Sequence, residues 1–142
     1  MAMNKILVPI DASPGAKRAL EVAVEIAAPN PDAHLELVYV VPIPLLDESQ
    51  TVSFKAILDM MLSDGETLLA QAKEETGDVG DRVDTILLKG VNPASELLKL
   101  IDQSDYDLVV IGNRGLSGLK EYMGSISHKV LHGSNVPVLI AK

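Results

Sequence analysis

The stretch KILVPI, Lys5–Ile10, is the strongest constraint on the fold. It is a short, continuous apolar run, as expected of a strand buried on both faces; a strand with one wet face would alternate. Further strand-like runs follow at Leu35–Val41 (LELVYVV), Val83–Leu88 (VDTILL), Leu108–Ile111 (LVVI) and Val136–Ala141 (VPVLIA). Long segments with apolar residues at helical spacing separate them. The order is therefore β-α-β-α-β-α-β-α-β, and connections this long are crossovers. The pattern specifies one α/β domain spanning residues 1–142, a parallel sheet of five strands with helices on both faces.

Local punctuation supports the same division. Pro9 marks where pairing of the first strand stops, because proline has no N–H for a ladder. Ser13 is a good N-cap and Pro14 a good first helical residue. Ala16, Ala19, Leu20, Ala23, Val24 and Ala27 then share one helical face, small enough for close packing on the sheet, and Pro29 and Pro31 end the helix. Residues Pro42–Gln50 read as a loop. A long helical pattern follows from Thr51 to about Thr76, interrupted by Gly65, with Met60, Met61, Leu62, Leu68 and Leu69 as its apolar face. Asn92 caps and Pro93 opens a helix carrying Leu97, Leu98, Leu100 and Ile101. A last helix is expected around Ser125–His132.

With 142 residues and 47% apolar content, the chain can build a core: a domain this size buries roughly 68–70% of its unfolded surface. The formal net charge of −8 disfavours nucleic acid and anionic membrane as partners, since both need clustered Lys and Arg. No stretch approaches a membrane span, and the N-terminus shows no signal-peptide pattern, so a cytoplasmic protein is expected. The absence of cysteine excludes disulfides, thiolate metal sites and thiol nucleophiles.

In open α/β sheets, ligands sit beyond the carboxyl ends of the strands, where strand order reverses. Two strand ends carry unusual residues: Pro9-Ile10-Asp11-Ala12-Ser13 after the first strand, and Gly112-Asn113-Arg114-Gly115 after the fourth. The segment GNRGLSGLKEYMGS, residues 112–125, holds four glycines and two serines. Glycines leave backbone amides uncovered. Gly124-Ser125 opens the next helix, whose free N–H groups and positive dipole end attract anions. Arg114 and Lys120 are among few cations in an acidic chain. Together these parts suggest a phosphate cradle. Glycines after a strand would equally serve a tight chain reversal, and that reading stays open. The segment is neither a P-loop nor a dinucleotide fingerprint, because it lacks both spacings.

The opening KILVPIDAS with Ala19-Leu20, the strand ending LVYVVP, the segment VIGNRGLSGLKEYMGSISHKVL and the closing VPVLIAK together resemble the universal stress protein family, over the full chain. The resemblance implies a five-stranded parallel sheet of order 3-2-1-4-5. ATP-binding members carry G-x2-G-x9-G-[S/T]. Here eight residues, not nine, separate Gly115 from Gly124. By resemblance, Pro9, Ile10, Asp11 and Ala12 would flank adenine and ribose, with Val40 at the adenine edge. Gly112, Asn113, Arg114 and Gly115 would meet ribose and phosphates, Gly124, Ser125, Ile126 and Ser127 the outer phosphates, and Ile111 would belong to the same site. Mg2+ would ride on the phosphates of ATP, because no cage of protein oxygens is evident. For Asp11, a turn or cap role beside Ser13 is the alternative.

The resemblance also implies a homodimer through the C-terminal strand, residues 136–142. That strand would otherwise offer an edge for pairing, and Pro137 within it is tolerable there. No protein partner is identifiable. His128 and His132 have metal-ligand spacing, but with no third ligand nearby they read as exposed helix histidines. Met60 and Met61 read as packing; Glu74, Glu75, Asp78 and Asp81 as an acidic rim. Three functions follow. The first is an ATP-binding, homodimeric, nucleotide-dependent sensor or adaptor in the stress response, with at most slow hydrolysis and no catalytic residue. The second is a non-nucleotide interaction protein of the same fold. The third is an adenylating or ATP-pyrophosphatase-like enzyme, ranked last because Asp11-Ala-Ser-Pro-Gly is not an S-G-G-x-D-S-type loop.

Overall fold

The computed structural model describes residues 3–113 and 124–142. The strands are β1 (Lys5–Pro9), β2 (His34–Pro42), β3 (Val83–Gly90), β4 (Leu108–Gly112) and β5 (Val138–Ala141). The helices are α1 (Pro14–Ala27), α2 (Glu48–Glu75), α3 (Pro93–Gln103) and α4 (Ser125–Gly133), with a 3-10 turn at Gly77–Arg82. The sheet is all-parallel, in order β3-β2-β1-β4-β5, as the alternation and the resemblance led us to expect.

The strands are apolar throughout because successive side chains enter different cores. Ile6, Val8, Leu108 and Val110 pack with α1 and α2 on one side. Leu7, Val109 and Ile111 pack with Leu97, Ile101 and Val130 of α3 and α4 on the other. The buried stripe Ala16, Ala19, Ala23 and Ala27 seats α1 close to the sheet. Caps appear as expected at Ser13, whose Oγ accepts from Ala16 N–H at 3.1 Å, and at Asn92, which accepts from Ser95 N–H at 3.2 Å.

Four expectations need correction. Helix α2 starts at Glu48, not Thr51. Asp47 and Gln50 form a reciprocal capping box that converts the end of the expected loop into helix. Its 28 residues span about 42 Å, more than a strand of this sheet, so the N-terminal half overshoots. Met60 is consequently 66% exposed, and the buried face is Gly65, Leu69 and Ala72. Gly65 does not interrupt the helix: a Cβ there would meet Leu87 Cδ1 at 2.8 Å and Tyr39 Cδ2 at 3.0 Å. The glycine is what lets α2 lie against β2 and β3. Pro137 precedes β5 and is not part of it; its carbonyl accepts from Val109 N–H at 2.9 Å.

Near the N-terminal edge of the sheet, the buried Tyr106 donates its hydroxyl to the Glu36 carboxylate. Lys5 Nζ lies 3.9 Å from Glu36 Oε1 and 4.9 Å from the Tyr106 ring centroid. Burial first, and then the Glu36 carboxylate, push the phenol well above its ordinary pKa. A raised folded pKa contributes stability that is complete below the unfolded value near 10 and is lost as pH rises beyond it. We expect Tyr106→Phe to cost about 1–3 kcal/mol at neutral pH, the worth of a hydrogen bond to a charged group. It should also flatten the decline in stability above pH ~10. Urea unfolding of both proteins across that pH range measures the two effects.

Candidate functional site

Because β1 pairs with β4, strand order reverses between them, and the crevice expected at such a point is present. A cavity of about 280 Å3 opens at the carboxyl ends of the strands. One wall is Pro9 at the end of β1 and Ile10 and Asp11 after it, with Val40 from β2. The facing wall is Ile111 and Gly112 of β4 and the first turn of α4, Gly124 to Ser127. Ten residues expected from the sequence thus meet around one space. Ala12 instead borders a neighbouring groove between α1 and α2. Asn113 lies beside the cavity but is held by the fold: its N–H donates to the Ala141 carbonyl at 3.0 Å, and its own carbonyl accepts from Gly124 N–H at 2.9 Å. Arg114 and Gly115, with Gly118 and Lys120, lie outside the described residues.

Sequence reasoning missed Pro93 and Leu97 of α3, and Val38, Tyr39 and Pro42 of β2, which complete the lining. The Asn92-Pro93 helix start was legible; that it would face the β1 end required the strand order. Ser13 and Ala16 also line the cavity, although the sequence marks them only as cap and packing face.

Among the described lining residues, Asp11 and Tyr39 are the only ionisable side chains. Asp11 Oδ1 accepts from Ser13 N–H at 2.8 Å, an Asx turn that orients the carboxylate and leaves its second oxygen for a ligand. Burial raises the pKa of Tyr39, and the Asp11 and Asp64 charges raise it further. Tyr39 is therefore a neutral phenol at physiological pH.

At the other end of the cavity, α4 begins differently from the remaining helices. Helices α1, α2 and α3 have side-chain caps at Ser13, Asp47 and Asn92; the N-cap of α4 is Gly124, which has no side chain to offer. Its first N–H groups keep their partial positive charge available to an anion. Ser125 is exposed beside them. Ser127 is buried, and its Oγ donates to the Gly112 carbonyl at 2.6 Å. That bond pins α4 to the end of β4, so the donor Ser127 retains for a ligand is its N–H.

Gly112 has a different cause from the one its motif suggests. A Cβ on it would fall 2.5 Å from the carbonyl carbon and oxygen of Gly15 and 3.0 Å from Ala16 N. The bare backbone here lets β4 and α1 touch. His128 and His132 are exposed on α4 with ring centroids 4.3 Å apart. Among the described residues no three His, Cys, Asp or Glu side chains converge as metal ligands.

A model of the universal stress protein family matches residues 3–142. The chain belongs to the universal stress protein family. It is 34% identical to the universal stress protein YxiE of Bacillus subtilis, over 98% of this chain and 99% of that one. The universal stress protein UspA from Lactobacillus plantarum has the same fold, with a TM-score of 0.89 at 23% identity over 100% and 99% of the two chains. Two further universal stress proteins were solved with adenine nucleotides. One, from Arabidopsis thaliana with AMP bound, has a TM-score of 0.73 at 21% identity, over 98% of this chain and 91% of that one. The other, in complex with cAMP, has a TM-score of 0.68 at 24% identity, over 99% and 98%. At these identities the structural likeness is one of fold.

Proposed function

We propose that this universal stress protein binds an adenine nucleotide, ATP by its glycine motif, in the β1–β4 crevice. As a homodimer it then signals nucleotide occupancy to a protein partner in the stress response. The observation carrying this reading is the polarity of the cavity: an aliphatic slot at one end, and at the other a helix start without a side-chain cap. The AMP and cAMP complexes on the same fold support an adenine ligand. The described residues suit the group. Ile10 and Val40 would face the base, Asp11 would accept from ribose hydroxyls, and the N–H groups of Ser125, Ile126 and Ser127 would hold phosphate, with Arg114 and Gly115 joining from the loop. Mg2+ would be carried on the phosphates and neutralise part of their charge. Among the described lining residues no base stands at the α4 end, so the site would sense nucleotide rather than turn it over.

The homodimer would form along β5, an edge of the sheet whose Val138, Leu139 and Ile140 are only partly covered. Sedimentation velocity tests it; a monomer at all accessible concentrations removes this part of the proposal.

A second reading also has support. The packing of Gly112 on Gly15 and of Ser127 on Gly112 explains two expected site residues, one of them a motif glycine, without any ligand. A non-nucleotide interaction protein of the same fold would keep both. To decide, the purified protein is denatured, the released small molecules are separated by anion exchange, and refolded protein is titrated with AMP, ADP and ATP. Release or saturable binding of a nucleotide supports the first reading; neither, up to millimolar ligand, leaves the second. In the first case Asp11→Ala should weaken binding about tenfold, one charge-assisted hydrogen bond, by calorimetric titration. Asp11→Asn should weaken it similarly, because its one carboxamide oxygen stays with Ser13 N–H.

A further inference from the structure

We propose that the groove between α1 and α2 is a second small-molecule site, taking a zwitterion of α-amino-acid size with an aliphatic side chain. It rests on Lys17, Leu20, Leu68, Ala72 and Glu75, which line the groove and not the crevice, although the two spaces share Asp11 and Ala16. The two helices lie on the same face of the sheet and pack mainly on strands: α1 against β1, β4 and β5, and less on β2, α2 against β2 and β3. Between them a space of about 370 Å3 remains, within the range of ligand sites. It persists because its floor is made of short side chains. Ala16 and Ala72 are each 5% exposed and Leu20 is 4% exposed, so the floor is apolar and well supported. Leu68 continues it along α2.

The groove is lined by charges of both signs, Lys17 on α1 and Glu75 at the end of α2, with Asp11 after β1. Neither carboxylate is paired with Lys17; the ion pairs of the described residues are Lys5–Glu36, Arg18–Glu21 and Lys99–Glu96. A simple anion entering here would meet two carboxylates, and a simple cation would meet the ammonium. A zwitterion satisfies both signs without adding net charge. Its carboxylate goes to Lys17. Its ammonium goes to Glu75, which lines this groove alone, whereas Asp11 also lines the crevice. An aliphatic side chain then covers Leu20 and Leu68, supplying the apolar contact that exposed charge pairs alone do not.

The test is a heteronuclear NMR titration of the isotope-labelled full chain with three probes: L-leucine, 3-methylbutylamine, which lacks the carboxylate, and 4-methylpentanoate, which lacks the ammonium. Leucine should shift the amides of Lys17, Leu20, Leu68 and Ala72 saturably, and each one-charge analogue should bind about threefold more weakly, the worth of one exposed pair. Lys17→Met should erase the advantage of leucine over the amine, and Glu75→Gln its advantage over the acid. Both are surface changes that leave the fold readable in the same spectra. Unsaturable shifts, equal binding of all three probes, or an unchanged response in both variants would overturn the proposal.

Discussion

Gly112→Val is expected to destabilise the domain by at least ~3 kcal/mol, above the usual range for an overpacked core site. The reason is the neighbour. A new Cβ would sit 2.5 Å from the Gly15 carbonyl, and backbone, unlike a side chain, cannot turn away. Either α1 moves off β4, uncovering the alanine stripe that seats it, or the end of β4 bends and breaks the Ser127–Gly112 bond that positions α4. With total stability of about 5–15 kcal/mol for a typical domain, much of the protein would be unfolded in mild denaturant. Urea unfolding should show a lower midpoint at a similar slope. Gly112→Ala should fall in the same direction by about 1–3 kcal/mol. If either variant matched the parent, the contact between β4 and α1 would be looser than described. A loss of nucleotide binding in these variants would therefore not show that Gly112 touches phosphate.

Gly112 also illustrates what a one-dimensional reading holds. Strand positions were legible because burial on both faces removes polar residues from a strand, and KILVPI and LVVI could scarcely be anything else. Helix starts were legible where a cap precedes a proline, as at Ser13-Pro14 and Asn92-Pro93. The sheet order was not available from periodicity and came from the resemblance. The start of α2 was misread because Pro42 and Pro44 draw attention to a loop, although the box of Asp47 and Gln50 was in plain sight. Pro42 itself pairs with Gly90 at the end of the β2–β3 ladder, extending a strand that the same proline was taken to end.

For the site, the stretches that follow β1 and open α4 were found, and Val40 by resemblance, whereas most of what β2 and α3 add was not. Pro9 to Asp11 and Gly124 to Ser127 each sit together in the chain. Pro93 and Leu97 join them only once α3 is folded onto its face of the sheet. Which motif glycines serve a ligand and which serve packing cannot be read from spacing, because both uses need the same bare backbone. Gly112 is settled only by the approach of Gly15, a residue far away in sequence.

Arg82→Ala is the second large effect expected, at about 3 kcal/mol, and it should leave the crevice untouched. Arg82 ends the 3-10 turn before β3, and its Nη1 lies 2.8 Å from the Asn30 carbonyl, 2.7 Å from that of Ala33 and 3.3 Å from that of Ala27. One half-buried guanidinium thus joins the end of α1, the proline-bearing turn after it and the approach to β2, and opposes the negative end of the α1 dipole. A hydrogen bond to a charged donor is worth about 1.5–3 kcal/mol, but bonds sharing one group are not additive, so the sum stays near a single strong bond plus part of another. Arg82→Lys should recover only part of the loss, since an ammonium restores the charge but its shorter stem does not carry it as far as Nη1, which meets all three carbonyls. Full rescue by lysine would mean that charge alone is at work. All these contacts lie at the N-terminal edge of the sheet, where β2 and β3 begin, and the crevice lies beyond the opposite edge. For the folded fraction, any nucleotide affinity measured by titration should match the parent, while the urea midpoint falls. A variant that lost both would tie the crevice to the far edge of the sheet, through β1 and β2, and the separation of scaffold from site would have to be abandoned.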